Sequence, residues 1–298
     1  RLRVASSGIT VSSTSGATGN VLLGVFVGNP TTWTPALNPV GTFTFDVNNA
    51  QTFKNDSASI RQFGQSNATA NVFIRPGVDS VADTHALTFS GTGTGTFDIY
   101  AIVQDQPADA TKTRSLVVNR ADAAAGAVSL YANNTYTGPT TITAGTLLVN
   151  GTTAGSGGTT VASGGILGGI GSLGGAITFN SGSRFLFNAS TPLTVAGSVS
   201  FTDPGSFGVD DIVGLDSSVN LGTYTLMAGT VNTAGLANLG VANAASLGAG
   251  KWAFFQQGSL QVVVSAVPEP AAGGLLGATG LVVMAAVGRR LRRPRGRG

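Results

Sequence analysis

Residues 141–149 read TITAGTLLV, residues 160–167 read TVASGGIL and residues 178–185 read TFNSGSRF. In each, a short apolar run leads into a glycine (Gly145, Gly164 and Gly182, almost evenly spaced) and a second short run follows it. Each unit is therefore a strand, a small-residue turn and another strand. A unit this short cannot bury its apolar side unless copies stack on it, which is the signature of a solenoid. Recurrent glycine suits the tight corner of a parallel β-helix, whose rungs must turn sharply to lie ~4.8 Å apart. The spacing predicts a β-strand-repeat solenoid over 127–249.

Upstream, the texture changes at 119–126, NRADAAAG. Short runs of alternating character precede it: VLLGVFV (21–27), TFTFDV (42–47), NVFIRP (71–76), ALTFS (86–90) and TFDIYAIV (96–103), with turn residues between them. These predict a β-sandwich-like domain at 1–119 and a linker at 120–126. Phe43, Phe45, Phe73, Phe89, Phe97, Ile99 and Ile102 then divide between core and exposed face by parity, with the winning parity left open. Downstream, GKWAFFQQGSLQVVVSA (250–266) predicts a capping hairpin in which Trp252, Phe254, Val262 and Val264 cover the solenoid end.

The first rung, NTYTGPTTITAGTL at 134–147, resembles the autotransporter-associated β-strand repeat, typically Tyr-Thr-Gly-Gly-Thr-Thr-Ile followed by Gly-Thr-Leu. Pro139 stands where that repeat has its second glycine. The resemblance is good over this rung and loose over those that follow it, and it implies a surface or secreted β-solenoid.

Composition agrees with an all-β chain. Of 298 residues only 10% are charged, 44 are glycine and 42% are apolar, which favours strands and turns over both helix and disorder. The absence of cysteine excludes disulfides and cysteine metal sites and is compatible with export. The net charge of +3 and pI near 9.6 arise from one place. Six of the 16 Lys and Arg (Arg289, Arg290, Arg292, Arg293, Arg295 and Arg297) fall at the extreme C-terminus, leaving ten basic against 13 acidic side chains elsewhere. A net-negative body without a basic, aromatic-interleaved patch argues against a nucleic-acid partner.

Ahead of those arginines, residues 271–287, AAGGLLGATGLVVMAAV, carry no charge. As a helix they would span ~25 Å, enough for a thin bilayer core, and the arginine cluster would stay cytoplasmic as a stop-transfer signal. A buried helix or an apolar strand before a basic tail fits this stretch equally well. The preceding Val267-Pro268-Glu269-Pro270 favours the membrane reading, because two prolines hold an extended, accessible segment suited to a processing enzyme.

VPEP, a short apolar helix and an Arg-rich end, in that order, resemble the PEP-CTERM sorting domain of Gram-negative bacteria. The resemblance implies an exported precursor anchored in the inner membrane at 267–298. It also implies recognition by an exosortase-type transpeptidase, release to the cell surface or exterior, and association with extracellular polysaccharide. The chain opens with RLRVASSGIT, without an initiating Met or an apolar signal core, so a fragment of a longer protein is expected.

Catalytic chemistry has little to stand on. The one histidine, His85, lies at the start of an apparent strand with no nucleophile elbow in the sequence, and a structural role is expected. Asp203, Asp210, Asp211 and Asp216 could ligate calcium, but their spacing matches no calcium loop and solvated turns suit the same residues. No cofactor is implied. The run Gly91-Thr92-Gly93-Thr94-Gly95 precedes a strand rather than a helix, so it reads as a hairpin turn instead of a nucleotide loop. The function expected is a non-catalytic, exported matrix or surface protein. The alternative is a polysaccharide-binding or polysaccharide-degrading β-helix using a carboxylate pair such as Asp210 or Asp211. An autotransporter passenger would end in a β-barrel, which this ending does not resemble.

Overall fold

The computed structural model describes residues 50–266 except 57, 59, 65–71, 77–83, 122, 123, 156 and 257–259, together with the strand backbones Leu2–Arg3, Ile9–Ser13 and Phe43–Val47. The described chain is all-β, dominated by parallel pairing, with three short 3-10 turns and no α-helix.

Its strands form three faces of a coil. On the first face, Gln51–Lys54, Thr84–Gly91, Thr113–Arg120, the first half of Thr140–Val149, Thr159–Val161, Ile177–Phe179 and the second half of Leu193–Phe201 pair in parallel, each with the next. The second face runs Arg61–Phe63, Phe97–Ile99, Val128–Leu130, the second half of Thr140–Val149, Gly165–Gly168, Arg184–Leu186 and Ile212–Val213. The third includes Asn133–Asn134, Thr152–Thr153, Ser172–Leu173 and the start of Leu193–Phe201.

Period-2 alternation sends one parity inward at every level. On the first face a single column reads Phe53, Phe89, Val118, Ile142, Val161, Phe179 and Phe201, all buried except the half-buried end members Phe53 and Phe201. On the second it reads Phe97, Val128, Leu147, Leu167, Phe185 and Ile212, all buried. Aromatic rings gather towards the two ends. Phe53, Phe63, Phe89 and Phe97 pack with centroids 4.8–6.1 Å apart at one, and Phe179, Phe201, Phe207 and Phe255 at 4.8–6.2 Å at the other. Between them the turns are shortest: Thr140 pairs with Thr159 and Thr159 with Ile177, whereas Leu87 pairs with Leu116 and Val199 with Val231. A shorter turn encloses a narrower cross-section, which Val and Ile fill.

Gly145, Gly164 and Gly182 turn the chain from the first face to the second with φ of 80°, 83° and 77°, the left-handed region that side chains resist. At Gly145 space is decisive as well: a Cβ there would lie 2.5 Å from the Cβ of Arg120.

The two-domain expectation for 1–126 is corrected here. Thr84–Gly91 and Thr113–Arg120 pair in parallel along their whole length, and Thr113–Arg120 continues into Thr140–Val149, so the coil runs unbroken through the expected boundary. Alternation is identical in a sandwich strand and a solenoid strand, and only pairing tells them apart. Phe89, Phe97 and Ile99 face the core, while Phe73 and Ile102 are half-buried; the side chains of Phe43 and Phe45 lie outside the described residues. Antiparallel pairing occurs upstream only between Leu2–Arg3, Ile9–Ser13 and Phe43–Val47 among the described residues.

The expected linker and hairpin turn also become corners. Gly91–Gly95 joins strands of different faces, and Arg120, at the supposed start of a linker, is fully buried against it. Its guanidinium donates to five carbonyl oxygens: Nε to Gly126, Nη1 to Asn55 and Ser90, and Nη2 to Gly93 and Gly95, at 2.5–3.1 Å. The Phe97 ring lies 5.2 Å below it. All five N–H donors of an arginine are thereby used.

At the far end the second half of Gly222–Val231 continues the parallel stack on Leu193–Phe201, while its first half pairs antiparallel with Leu260–Ser265, which pairs antiparallel with Lys251–Phe255 in turn. Val262, Val264, Ala253 and Phe255 are buried beneath this sheet, while Trp252 and Phe254 are half-buried on its other side. Among the described residues no helix is long and apolar enough to cross a membrane, and the expected span at 271–287 lies outside them.

Candidate functional site

The expected sorting residues Val267, Pro268, Glu269 and Pro270, and the expected stop-transfer cluster Arg289, Arg290, Arg292, Arg293, Arg295 and Arg297, lie outside the described residues. The strand Leu260–Ser265 ends just before Val267.

The four candidate calcium ligands are distributed over the turns that follow Phe201. The Asp203 carbonyl accepts from Ser206 N at 3.2 Å, closing a turn with its carboxylate exposed. Asp210 and Asp211 sit on the 3-10 turn Val209–Asp211, where the Asp211 carboxylate folds back to accept from Gly208 N at 2.7 Å. Burial raises the pKa of Asp211, opposed by that hydrogen bond. The Asp216 carboxylate accepts from Ser218 N and Oγ at 2.7 and 2.6 Å, and these bonds hold its pKa below the ordinary carboxylate value. Two of the four carboxylates thus serve their own turns. Among the described residues no group of three or more His, Cys, Asp or Glu is placed to hold a metal ion.

His85 is buried, pointing inward in register with Arg114, whose Nη1 donates to the His85 carbonyl at 3.2 Å. Arg114 shares the inward parity of Leu116, Val118 and Arg120. Desolvation lowers its pKa to about 10, offset in part by Asp105.

Around these residues the 134–147 motif acquires a physical account. Asn134 is buried, its Oδ1 accepting from Val103 N at 2.9 Å and its Nδ2 donating to Ala132 O and Thr152 O at 2.9 and 3.1 Å, so one carboxamide staples three turns of the coil. Thr137 donates through N and Oγ1 to Asp105 Oδ2 at 3.0 and 2.6 Å, while Arg114 N donates to Asp105 Oδ1 at 2.7 Å. Tyr136 is buried with its hydroxyl 2.7 Å from Thr140 Oγ1. The side chains of Asn134, Tyr136 and Thr137 are thus consumed in holding the coil together.

Burial pushes the Tyr136 phenol up to about 12, against the opposing Thr140 bond. A folded-state pKa above the unfolded value of 10 means the folded chain holds this proton more tightly. The stabilisation is complete below pH 10 and is lost as pH rises towards 12, by about 2–3 kcal/mol. Arg114, with its depressed pKa, works in the opposite direction over the same range. Tyr136→Phe isolates the phenol: unfolding titrations should show that the variant is about 1 kcal/mol less stable at neutral pH and loses less stability than the parent between pH 10 and 12. Equal alkaline slopes in the two proteins would refute the assignment.

Outside the core, the corner between the second and third faces carries Tyr100, Tyr131, Asn150 and Ile170 at successive levels. Tyr100 and Tyr131 stack with centroids 4.5 Å apart and planes 9° apart. Burial, reinforced by Tyr131, raises the Tyr100 phenol. Beside this corner, the outward positions of the third face read Asn133, Thr152, Ser172 and Thr194, with Thr152 Oγ1 donating to Asn133 Oδ1 at 3.2 Å. Neither this corner nor the inward arginines stand out in the sequence. The signal for the arginines is parity, whereas the corner becomes visible only once the pairing register is known.

No family model, curated protein or solved structure matches the chain. Functional inference therefore rests on the residues themselves. Among the large apolar side chains of the described residues, Ile60, Tyr131, Ile170 and Leu221 are exposed.

Proposed function

We propose that the chain is an exported, non-catalytic surface or extracellular-matrix protein of a Gram-negative bacterium, sorted through its C-terminus by an exosortase-type transpeptidase and associated with extracellular polysaccharide. The observation that carries this reading is the ordered tail: VPEP at 267–270, the uncharged stretch 271–287 and six arginines from 289 to 297. The coil supports it as a scaffold, since stacked rungs make a stiff spacer in which Asn134 and Thr137 bond to neighbouring levels.

Intact-mass spectrometry of protein recovered from the outside of native cells tests the proposal. A C-terminus between Pro268 and Pro270 is expected. Mature protein retaining Arg297 would mean a permanent anchor and would remove the transpeptidase from the scheme.

A further inference from the structure

We propose that the outward side of the first face binds ice. The pairing register sets Thr141, Thr160, Thr178 and Ser200 directly beside one another, one residue per level, and the same column continues back through Val117 to Thr88. All six are exposed or half-buried, while the residues on either side of Thr160 and of Thr178, in the same strands, face the core. Strand propensity does not demand a hydroxyl here, since Val, Ile and Tyr serve a strand as well. The proposal stands apart from the sorting reading, because no residue of the C-terminal tail enters it.

Charge identifies the kind of partner. From residue 123 to residue 202 the sequence holds one charged side chain, Arg184, and it belongs to the second face. Soluble surfaces ordinarily carry about 25–35% charged residues, so the stretch of the first face from Thr141 to Ser200 is exceptional in having none. An ionic partner finds nothing to pair with there, whereas a lattice of water is neutral and needs no counter-charge. Spacing fits the same partner: levels rise ~4.8 Å, within a few tenths of an ångström of the oxygen repeat along the a axis of hexagonal ice. Threonine supplies the contact. Its β-branched side chain is stiff about χ1, so methyl and hydroxyl hold fixed places at each level. The methyl restricts the orientation of the water beside it, and the hydroxyl both donates and accepts, as a lattice water does. Water ordered along the column therefore already carries part of the lattice pattern when it meets a growing crystal.

The test uses the full chain in dilute buffer with ice itself as the probe. Two quantities are read: the gap between the melting point and the freezing point of a seeded crystal, and the share of protein carried into ice grown slowly on a cold surface. The parent is expected to open a gap and to enter the ice. Thr160→Tyr puts a bulky ring in the middle of the column and should lose most of both effects. Thr194→Tyr makes the same change at an exposed outward position of the third face and should leave both intact. Circular dichroism and unfolding curves establish that each variant is folded. The proposal is overturned if the parent opens no gap and is excluded from ice, if folded Thr160→Tyr is as active as the parent, or if Thr194→Tyr is as damaging as Thr160→Tyr. It is also overturned if Thr160→Tyr changes the oligomeric state, which would make the face a contact between copies. Adsorption to microcrystalline cellulose without activity on ice would reassign the column to a neutral glycan and overturn it as well.

Discussion

Replacing Arg120 by alanine is expected to lower the unfolding free energy by about 4 kcal/mol, the scale of removing one partner from a buried charged hydrogen-bond network. The five carbonyls it binds do not belong to one turn of the coil. Asn55 is on an earlier level, Ser90, Gly93 and Gly95 on the next, and Gly126 in the corner of the one after. Several of these oxygens keep a second donor, since Asn55 N reaches Ser90 O at 3.0 Å and Gly126 N reaches Gly93 O at 3.0 Å, so the loss is large without orphaning all five. Arg120→Met keeps the stem beside Phe97 and should cost about 3 kcal/mol, and Arg120→Lys about 2 kcal/mol, because an ammonium has three donors and no planar fork. Stacked repeats unfold as coupled neighbours, so cutting this tie should also lower the denaturant m-value. Denaturant unfolding followed by circular dichroism measures both quantities. A loss under about 1 kcal/mol in Arg120→Ala would show that the guanidinium cage is energetically idle.

Gly145→Ala should be the next most damaging single change, at about 3 kcal/mol, and Gly164→Ala supplies its internal control. Both positions have φ near 80°, so both substitutions incur the left-handed strain of about 1–2 kcal/mol. Only Gly145 adds a collision, with Cβ 2.5 Å from that of Arg120, whereas a Cβ at Gly164 would meet nothing within 4 Å. The difference between the two variants in thermal or denaturant unfolding therefore measures the collision itself. Equal losses would place the whole effect in backbone strain.

These corner glycines are also where the sequence is most legible. A turn that needs positive φ selects glycine almost by itself, so 145, 164 and 182 mark the same corner three times. The stretch from 84 to 120 conceals the same architecture because its turns are longer. The steps from Leu87 to Leu116 and from Leu116 to Thr140 both exceed the step from Thr140 to Thr159, and loops of unequal length blur the period. Strand pairing is non-local, and a strand's own alternation does not name its partner. Arg114 and Arg120 are hidden for a different reason. In TRSLVVNR they occupy the inward parity with Leu116 and Val118, yet a charged residue at a strand end is ordinarily solvated, and only the carbonyl-lined corner makes burial tolerable. The proposed sorting signal at 267–298 rests on residue order alone. The Tyr100–Tyr131 corner is not, because the two residues are remote in sequence and are brought together only by register.

In the membrane-held precursor proposed above, the capping sheet would set a stand-off distance. Leu260–Ser265 is its central strand, held on both sides by Gly222–Val231 and Lys251–Phe255. Only residues 266–270 separate Ser265 from the uncharged stretch that begins at 271, and a segment of that length reaches at most ~18 Å when fully drawn out. In the membrane-held precursor proposed above, the last rungs would ride within that leash of the lipid headgroups, nearer to them than the coil is long, since its levels rise ~4.8 Å each. A peptidase working at Pro268–Pro270 would have to fit into that gap against a folded wall. Inserting a flexible Gly/Ser spacer after Ser265 should therefore speed release without changing the bond that is cut.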